Sequence, residues 1–213
     1  MKKYNYNIEM EKIVSQPFIV CDLEATCWDR NIQQQTVGIM EIIEIGAVKT
    51  DYSGKIHDEF SIFVKPNKNP ILSEFCKNLT TIKQSDIDNA PNYIEAIDIF
   101  NEWLGDVKGH AWFSWGNYDK NQFIVEYNRN GVFPTLMNIP HVNLKRPWRK
   151  TTKHKRQGLR AALSYHGYQF EGTPHRGIDD VKNIAKIIPH TDKYILRNEI
   201  SNWSGPEFNK EKK

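Results

Sequence analysis

Three stretches near the start of the chain constrain its fold more than anything that follows. FIVCDLEA from Phe18, MEIIEIGAVKT from Met40 and KIHDEFSIFVKP from Lys55 are rich in apolar and β-branched residues, and the turn signal DYSG parts the last two. The first, read as a strand over residues 17–23, is apolar without interruption from Phe18 to Cys21. That character suits a strand covered on both faces, at the centre of a sheet. Strands one to three are therefore expected to form an antiparallel meander.

After residue 72 the pattern turns helical. SEFCKNLT, TIKQSDIDNA and NYIEAIDIFNEWLG predict helices, the last with Tyr93, Ile97, Phe100 and Leu104 on one face and Gly105 as its stop. GHAWFSWG predicts a fourth strand running straight into a helix, YDKNQFIVEYNRN, that Gly131 ends, and HVNL predicts a short fifth strand. A basic loop, helices near 157–166 and 178–188, and Pro189 as a stop complete the pattern. The order β-β-β-α-β-α-β-α-α predicts an α/β three-layer domain with a mixed five-stranded sheet flanked by helices. Its expected extent is 17–190, between polar tails at 1–16 and 191–213.

With 39% apolar and 26% charged residues over 213 positions, the chain can bury a core and is not compositionally disordered. The opening MKKYNYNIEMEK is polar, and no apolar run approaches the roughly 18 residues of a membrane span. The reading therefore expects a cytoplasmic protein with no membrane association. Cys21, Cys27 and Cys76 lack CxxC or Cys/His ligand spacing and read as buried thiols.

Charge is unevenly spread. Between Tyr127 and Phe170 there is no Asp or Glu, while Arg129, Lys145, Arg146, Arg149, Lys150, Lys153, Lys155, Arg156 and Arg160 give the segment a charge of +9. Elsewhere 20 basic residues face 26 acidic ones. One basic band on an acidic body is the pattern of a surface that binds a polyanion, though a solvated loop would look the same.

The carboxylates suggest where chemistry would occur. Residues i and i+2 of a strand share a face, so Asp22 and Glu24 project together from the end of the first strand. Two carboxylates so close ionise cheaply only with a cation between them, and hard cations such as Mg²⁺ or Mn²⁺ take such oxygen ligands. A lone Asp-x-Glu is nevertheless common by chance. Asp119, at the junction of the fourth strand and its helix, lies toward the same carboxyl end of the sheet, where ligands of open α/β sheets collect. Asp179 and Asp180 open a late helix. Each of these three aspartates could equally serve as a helix cap or first-turn acid. His175, five residues before Asp180, is either a solvated loop histidine or, beside such a cluster, a general base active near neutral pH.

The acids of DLE, the aspartate of WGNYD and the HxxxxD of HRGIDD, in that order, resemble the three motifs of the DEDDh 3′-to-5′ exonucleases of the RNase H-like superfamily. VCDLEATCW, EIIEIGAV, KQSDIDNAP, NEWL and HRGIDDVKNIA are similar, more narrowly, to the enhancer-of-RNA-interference and histone-mRNA exonuclease group and its bacterial relatives, over about residues 17–190. The resemblance implies an RNase H-like fold and removal of nucleoside 5′-monophosphates from the 3′ end of single-stranded nucleic acid, RNA rather than DNA. It implies two divalent ions, Mg²⁺ or Mn²⁺, on Asp22, Glu24, Asp119 and Asp180, with His175 as general base and Asp179 as the rival for the last ligand. Ala25 and Thr26 would lie at the terminal sugar, Trp28 or Tyr118 would stack on a base, and Lys153, Lys155 and Arg156 would track phosphates, with Trp148 able to stack among them. With the first motif beginning by residue 18, the separate N-terminal nucleic-acid-binding module of the animal members is expected to be lacking. The alternative from another class is a non-catalytic regulator that binds RNA or protein with the same fold.

Overall fold

The computed structural model describes residues 17–29, 31, 38–155 and 158–205. Five strands, β1 (Phe18–Ala25), β2 (Ile42–Thr50), β3 (Ile56–Phe63), β4 (Ala111–Ser114) and β5 (His141–Asn143), form one sheet in the order β3-β2-β1-β4-β5. The meander is present: β1 pairs antiparallel with β2, and β2 with β3, while β4 and β5 add parallel to β1 and to each other. The apolar first strand is central, as its uninterrupted character predicts.

Eight α-helices cover the sheet among the described residues: α1 (Glu74–Thr80), α2 (Gln84–Asp88), α3 (Tyr93–Leu104), α4 (Tyr118–Asn130), α5 (Lys145–Thr152), α6 (Leu159–Tyr165), α7 (Gly177–Ala185) and α8 (Lys193–Ser201). Local chemistry sets their limits. Asn92 and Glu95 form a reciprocal capping box at the start of α3, whose Tyr93, Ile97, Phe100 and Leu104 are all buried. Gly131, at φ 73°, ends α4 in the left-handed region that an L side chain adopts only at a cost.

Alternation along β1 divides the core in two. Ile19, Cys21 and Leu23 face a layer containing Ile97, Phe100, Phe123 and Leu136. Phe18 and Val20 face the opposite layer, with Phe113, Trp148, Leu163, Val181, Ile184 and Leu196. Asp22 and Glu24 continue this second face, so the carboxylates extend a packed apolar stripe. All three cysteines are buried thiols.

Two segments differ from the sequence reading. LKRPWRKTT is not a flexible basic loop: residues 145–152 form α5, and Trp148 is fully buried with its Nε1–H donating to His166 Nε2 at 2.9 Å. It is a core residue and not a stacking platform. Past residue 190, where a polar tail is expected, α8 packs back on the domain through Leu196, capped by Asp192. No helix among the described residues is long and apolar enough to cross a membrane.

One contact sets the height of α7 over the sheet. A Cβ on Gly46 would lie 2.1 Å from the carbonyl carbon of Gly177, and one on Gly177 would lie 3.1 Å from the Asp22 carbonyl oxygen. Backbone meets backbone, and only two glycines permit it. Gly46→Ala should therefore destabilise by the upper part of about 1–3 kcal/mol, a fall of roughly 5–10 °C in Tm for a chain of this size. Gly158→Ala, at a position with open space around it and φ −68°, should shift Tm by far less in the same thermal unfolding experiment.

Candidate active site

The carboxylates converge from three elements. Asp22 and Glu24 come from β1, opposite Gly46 and Glu44 of β2, with the ladder register shifting just after Glu24. Asp119 stands in the first turn of α4, buried, and its Oδ1 accepts the Leu23 backbone N–H at 3.1 Å, tying the helix to the strand. Asp180 stands in the first turn of α7 and its Oδ2 accepts the His175 N–H at 2.8 Å. Ligand atoms of Glu24, His175 and Asp180 all lie within 4.8 Å of one another.

The rivalry between the adjacent aspartates has a geometric outcome. Asp179 turns away and its Oδ2 accepts the Thr173 N–H at 2.8 Å. Its carboxylate also fills the space beside Gly172, where a Cβ would come within 2.4 Å of Asp179 Cγ. Asp180 is the one that joins Glu24 and His175.

Electrostatics mark the cluster as incomplete. Burial, and then Asp119, Glu24, Asp180 and Glu44, raise the Asp22 pKa well above the carboxylate range, although Asp22 keeps some contact with solvent. Burial followed by Asp180 and Glu44 does the same to Glu24. Asp119 is pushed up to about 6 by burial, against the stabilising N–H groups of its own residue and Leu23 and the Ser114 hydroxyl. Asp180 is pushed up to about 6, again by burial first, against the His175 N–H. His175, exposed by surface area, moves the other way, below its ordinary value, because of partial desolvation of its ring and the charge of Arg160. Hard oxygen donors that disfavour their own charge suit a divalent cation, which would relieve the repulsion. Asp22, Glu24, Asp119 and Asp180 fit such an ion by this chemistry.

The remaining expected residues fall into groups. Ala25 and Thr26 are buried, and Thr26 is tied to Glu41: its N–H donates to the Glu41 carbonyl at 2.8 Å and its Oγ1 accepts the Glu41 N–H at 3.0 Å. Tyr118 lies beside the acids, and burial, then Asp119 and Glu24, raise its phenol pKa. Trp28 is half-buried in the segment leaving β1. Lys153, at φ 58°, and Lys155 are exposed beyond α5, and Arg156 lies outside the described residues. Arg146, Arg149, Lys150 and Lys153 line a recess of about 430 Å³. Among the described band residues, the charges of Lys145, which lowers the Asp119 pKa, and of Arg160 reach the site.

Sequence reasoning passed over Glu44 and Arg176. Glu44 is fully buried and pairs with Arg176, Nε to Oε2 at 3.1 Å. The available signal was a glutamate inside the otherwise apolar run IIEIGAV.

Comparison with known proteins gives the family and the fold. Residues 19–188 match the family described as Exonuclease (RNase_T). The chain is 30% identical over 200 residues to the 3′-5′ exonuclease Snipper of Drosophila melanogaster, covering 84% of this chain and 71% of that protein. With the 3′-5′ exonuclease eri1 of Schizosaccharomyces pombe it shares 28% identity over 217 residues, 87% of this chain and 71% of that one. The crystal structure of the nuclease domain of 3′hExo, a DEDDh family member bound to rAMP, superposes with a TM-score of 0.74 at 26% identity, covering 87% and 94% of the two chains.

The repulsion has a measurable sign. A carboxyl whose folded pKa is raised costs stability at pH 7, and that cost disappears as pH falls through the folded value. Asp22→Asn should raise the Tm of the metal-free protein at pH 7, and its advantage over wild type should shrink as pH falls and Asp22 itself protonates, with Asp119 and Asp180 losing their charge near about 6. Adding millimolar Mn²⁺ should reverse the order by stabilising wild type alone. Scanning fluorimetry in chelator and in Mn²⁺ reads both effects; equal Tm values throughout would contradict the acid cluster as an ion site.

Proposed function

The chain belongs to the exonuclease family, and from that premise we propose that it shortens single-stranded RNA from the 3′ end, releasing nucleoside 5′-monophosphates. Hydrolytic 3′-5′ exonuclease activity is the family's; the RNA substrate, the two divalent ions and the residue roles are the proposal. The observation that carries it is the convergence of Asp22, Glu24, Asp119 and Asp180 with His175 at one end of the central strand. Named relatives favour RNA: one neighbour holds rAMP, and human ERI1 exoribonuclease 2 is 30% identical over 191 residues, although the chain spans only 27% of that protein.

Phosphodiester hydrolysis needs a deprotonated water, neutralisation of charge on the phosphoryl oxygens and help for the departing 3′-oxygen. Divalent ions, Mg²⁺ or Mn²⁺, supply the Lewis acidity for the last two when bound. Asp22, Glu24, Asp119 and Asp180 would hold them. The chain's own residues do the rest. With its pKa below the usual 6.5, the His175 imidazole is neutral at pH 7 and able to accept the proton of the attacking water. Its backbone N–H, bonded to Asp180, keeps the ring's starting point beside that carboxylate. Leu23 N–H and the Ser114 hydroxyl hold Asp119 in its turn. Tyr118, half-buried beside the acids, would pack against the terminal nucleotide, and Trp28 is the second candidate.

Upstream phosphates need cations, because the acid cluster repels a polyanion. The exposed Lys153 and Lys155, with Arg156 and the recess of Arg146, Arg149 and Lys150, would supply that track.

Incubation with Mn²⁺ or Mg²⁺ and 5′-labelled single-stranded RNA or DNA should give a ladder shortening from the 3′ end, faster on RNA. Asp22→Ala should lower the rate by about 10³ or more, the scale of a lost charge-stabilising group. His175→Ala should lower kcat by about 10²–10⁴ with little change in KM. Wild-type-like activity in purified Asp22→Ala would refute the site, and no shortening of either polymer by wild type would refute the enzyme.

Replacing Lys153, Lys155 and Arg156 by Gln should weaken binding of a long single strand and lower the slope of log Kd against log salt by about 2, at about 0.7 per phosphate contact. A dinucleotide should feel the change much less. An unchanged slope in fluorescence anisotropy titrations would place the track elsewhere.

A further inference from the structure

A fifth carboxylate lies against the cluster and is not free to join it. Glu44 is the register partner of Glu24 across the β1–β2 pair, so both side chains project from the same face of the sheet. Like charges directly opposite one another destabilise a sheet, and Glu44 is fully buried. Its two oxygens are already committed. Oε2 accepts Arg176 Nε at 3.1 Å and the Gly177 backbone N–H at 3.2 Å, while Oε1 accepts Arg176 Nη2 at 3.3 Å and the Ser61 hydroxyl at 3.2 Å. A carboxylate with four donors is a clamp and not a spare ligand.

The clamp grips the chain at one sensitive place. Arg176 and Gly177 directly follow His175, whose φ of +62° is left-handed without being glycine. Such a conformation persists only where its surroundings over-determine it. Here they do: the His175 N–H is bonded to Asp180, the Thr173 N–H to Asp179, and the Asp179 and Asp180 N–H groups to the Arg176 carbonyl. These bonds close residues 173–180 on themselves but attach them to nothing else. Among the described residues, the hydrogen bonds that fasten that closed turn to the strand bearing Gly46, whose partner is Asp22, run from Arg176 and Gly177 to Glu44. Packing of Gly177 on Gly46 sets the height of the turn. A bidentate arginine sets its direction as well, because the guanidinium fork fixes orientation.

We propose that Glu44, acting through Arg176 and the Gly177 N–H, is a positioning residue that holds His175 and Asp180 in register with Glu24. The inference rests on the exonuclease reading above for what that register does, but not for how it is detected. A buried ion pair is seldom the most stabilising choice for its place. Glu44 is kept there by what it orients, in the manner of the outer groups that aim metal-binding side chains.

The test uses Glu44→Gln, which keeps size and an acceptor for Gly177 but cannot receive both Arg176 donors. Arg176→Lys, at a partly exposed position, carries the same test if Glu44→Gln does not fold. Lys186→Met, which breaks the 2.8 Å pair with Glu171 just beyond the far end of α7, is the control for a general loosening of the helix. Mn²⁺ binding is measured by calorimetry without substrate, and kcat and KM by 3′-shortening of a labelled oligonucleotide. The expected result for either clamp variant is a Kd for Mn²⁺ weaker by about tenfold and kcat lower by about 10–100-fold, with KM within about threefold. The double variant should be no worse than Glu44→Gln alone, since both cut one path, and Lys186→Met should change neither Kd nor kcat. Wild-type Mn²⁺ affinity and wild-type kcat per folded molecule in Glu44→Gln, with only Tm lowered, would overturn the proposal, as would additive losses in the double variant. If wild type binds Mn²⁺ yet shortens neither RNA nor DNA, the exonuclease reading fails and the calorimetry still decides the clamp.

Discussion

Mutual repulsion among buried and half-buried carboxylates is the constraint around which this fold is organised. After burial, the largest cause, Asp119, Glu24 and Asp180 raise the Asp22 pKa, Asp180 and Asp119 raise that of Glu24, and Asp179 and Asp119 raise that of Asp180, with Glu44 adding to all three. Left to themselves such groups would move apart or protonate. The protein denies them the first escape by mounting each on a rigid element. β1 is packed on both faces by separate apolar layers. α4 is laced to it by the Leu23 N–H, and α7 rests on β2 glycine to glycine. Stability is spent to keep a charge deficit open for a cation, the familiar trade of stability for activity.

Backbone amides, rather than side-chain cations, hold the aspartates in place. Leu23 N–H serves Asp119 and His175 N–H serves Asp180. An amide donor steadies a carboxylate without filling the space an ion needs, whereas a lysine ammonium would compete for it. The full positive charge of Arg176 is committed instead to Glu44, the carboxylate that takes no part in the open cluster. The structure thereby separates neutralised acid from available acid over one cross-strand pair.

Most of this plan could be read from the sequence where the signal was local and periodic. The apolar run Phe18–Cys21 gave a central strand, the two-residue spacing of Asp22 and Glu24 gave a shared face, and Gly105 and Gly131 marked helix ends. What escaped was set by tertiary contact. Residues 145–152 look like a solvated basic loop because seven of the eight residues are not large apolar groups, yet one buried indole, Trp148, anchors the helix to the core. In the same way Leu196 turns an apparently polar tail into α8. The tie of Thr26 to Glu41, through its N–H and Oγ1, also lay outside any local pattern. Glu44 was invisible because a single glutamate in a strand does not announce the arginine 132 positions away that gives it a function.

The basic band acquires a finer meaning from the same electrostatics. Its exposed members around α5 face solvent, where salt screens them and where they can meet a strand of phosphates. Lys145 and Arg160 instead act inward, Lys145 lowering the Asp119 pKa and Arg160 lowering that of His175. Those two shifts push in a common direction: an aspartate kept ionised can attract a cation, and an imidazole kept neutral can accept a proton. On the proposed function, a segment with no acid between Tyr127 and Phe170 would do two tasks with one sign of charge. Its outer residues would offset the repulsion between an acidic site and an anionic polymer, and its inner residues would bias the titrating groups of that site toward the protonation states that hydrolysis near neutral pH requires.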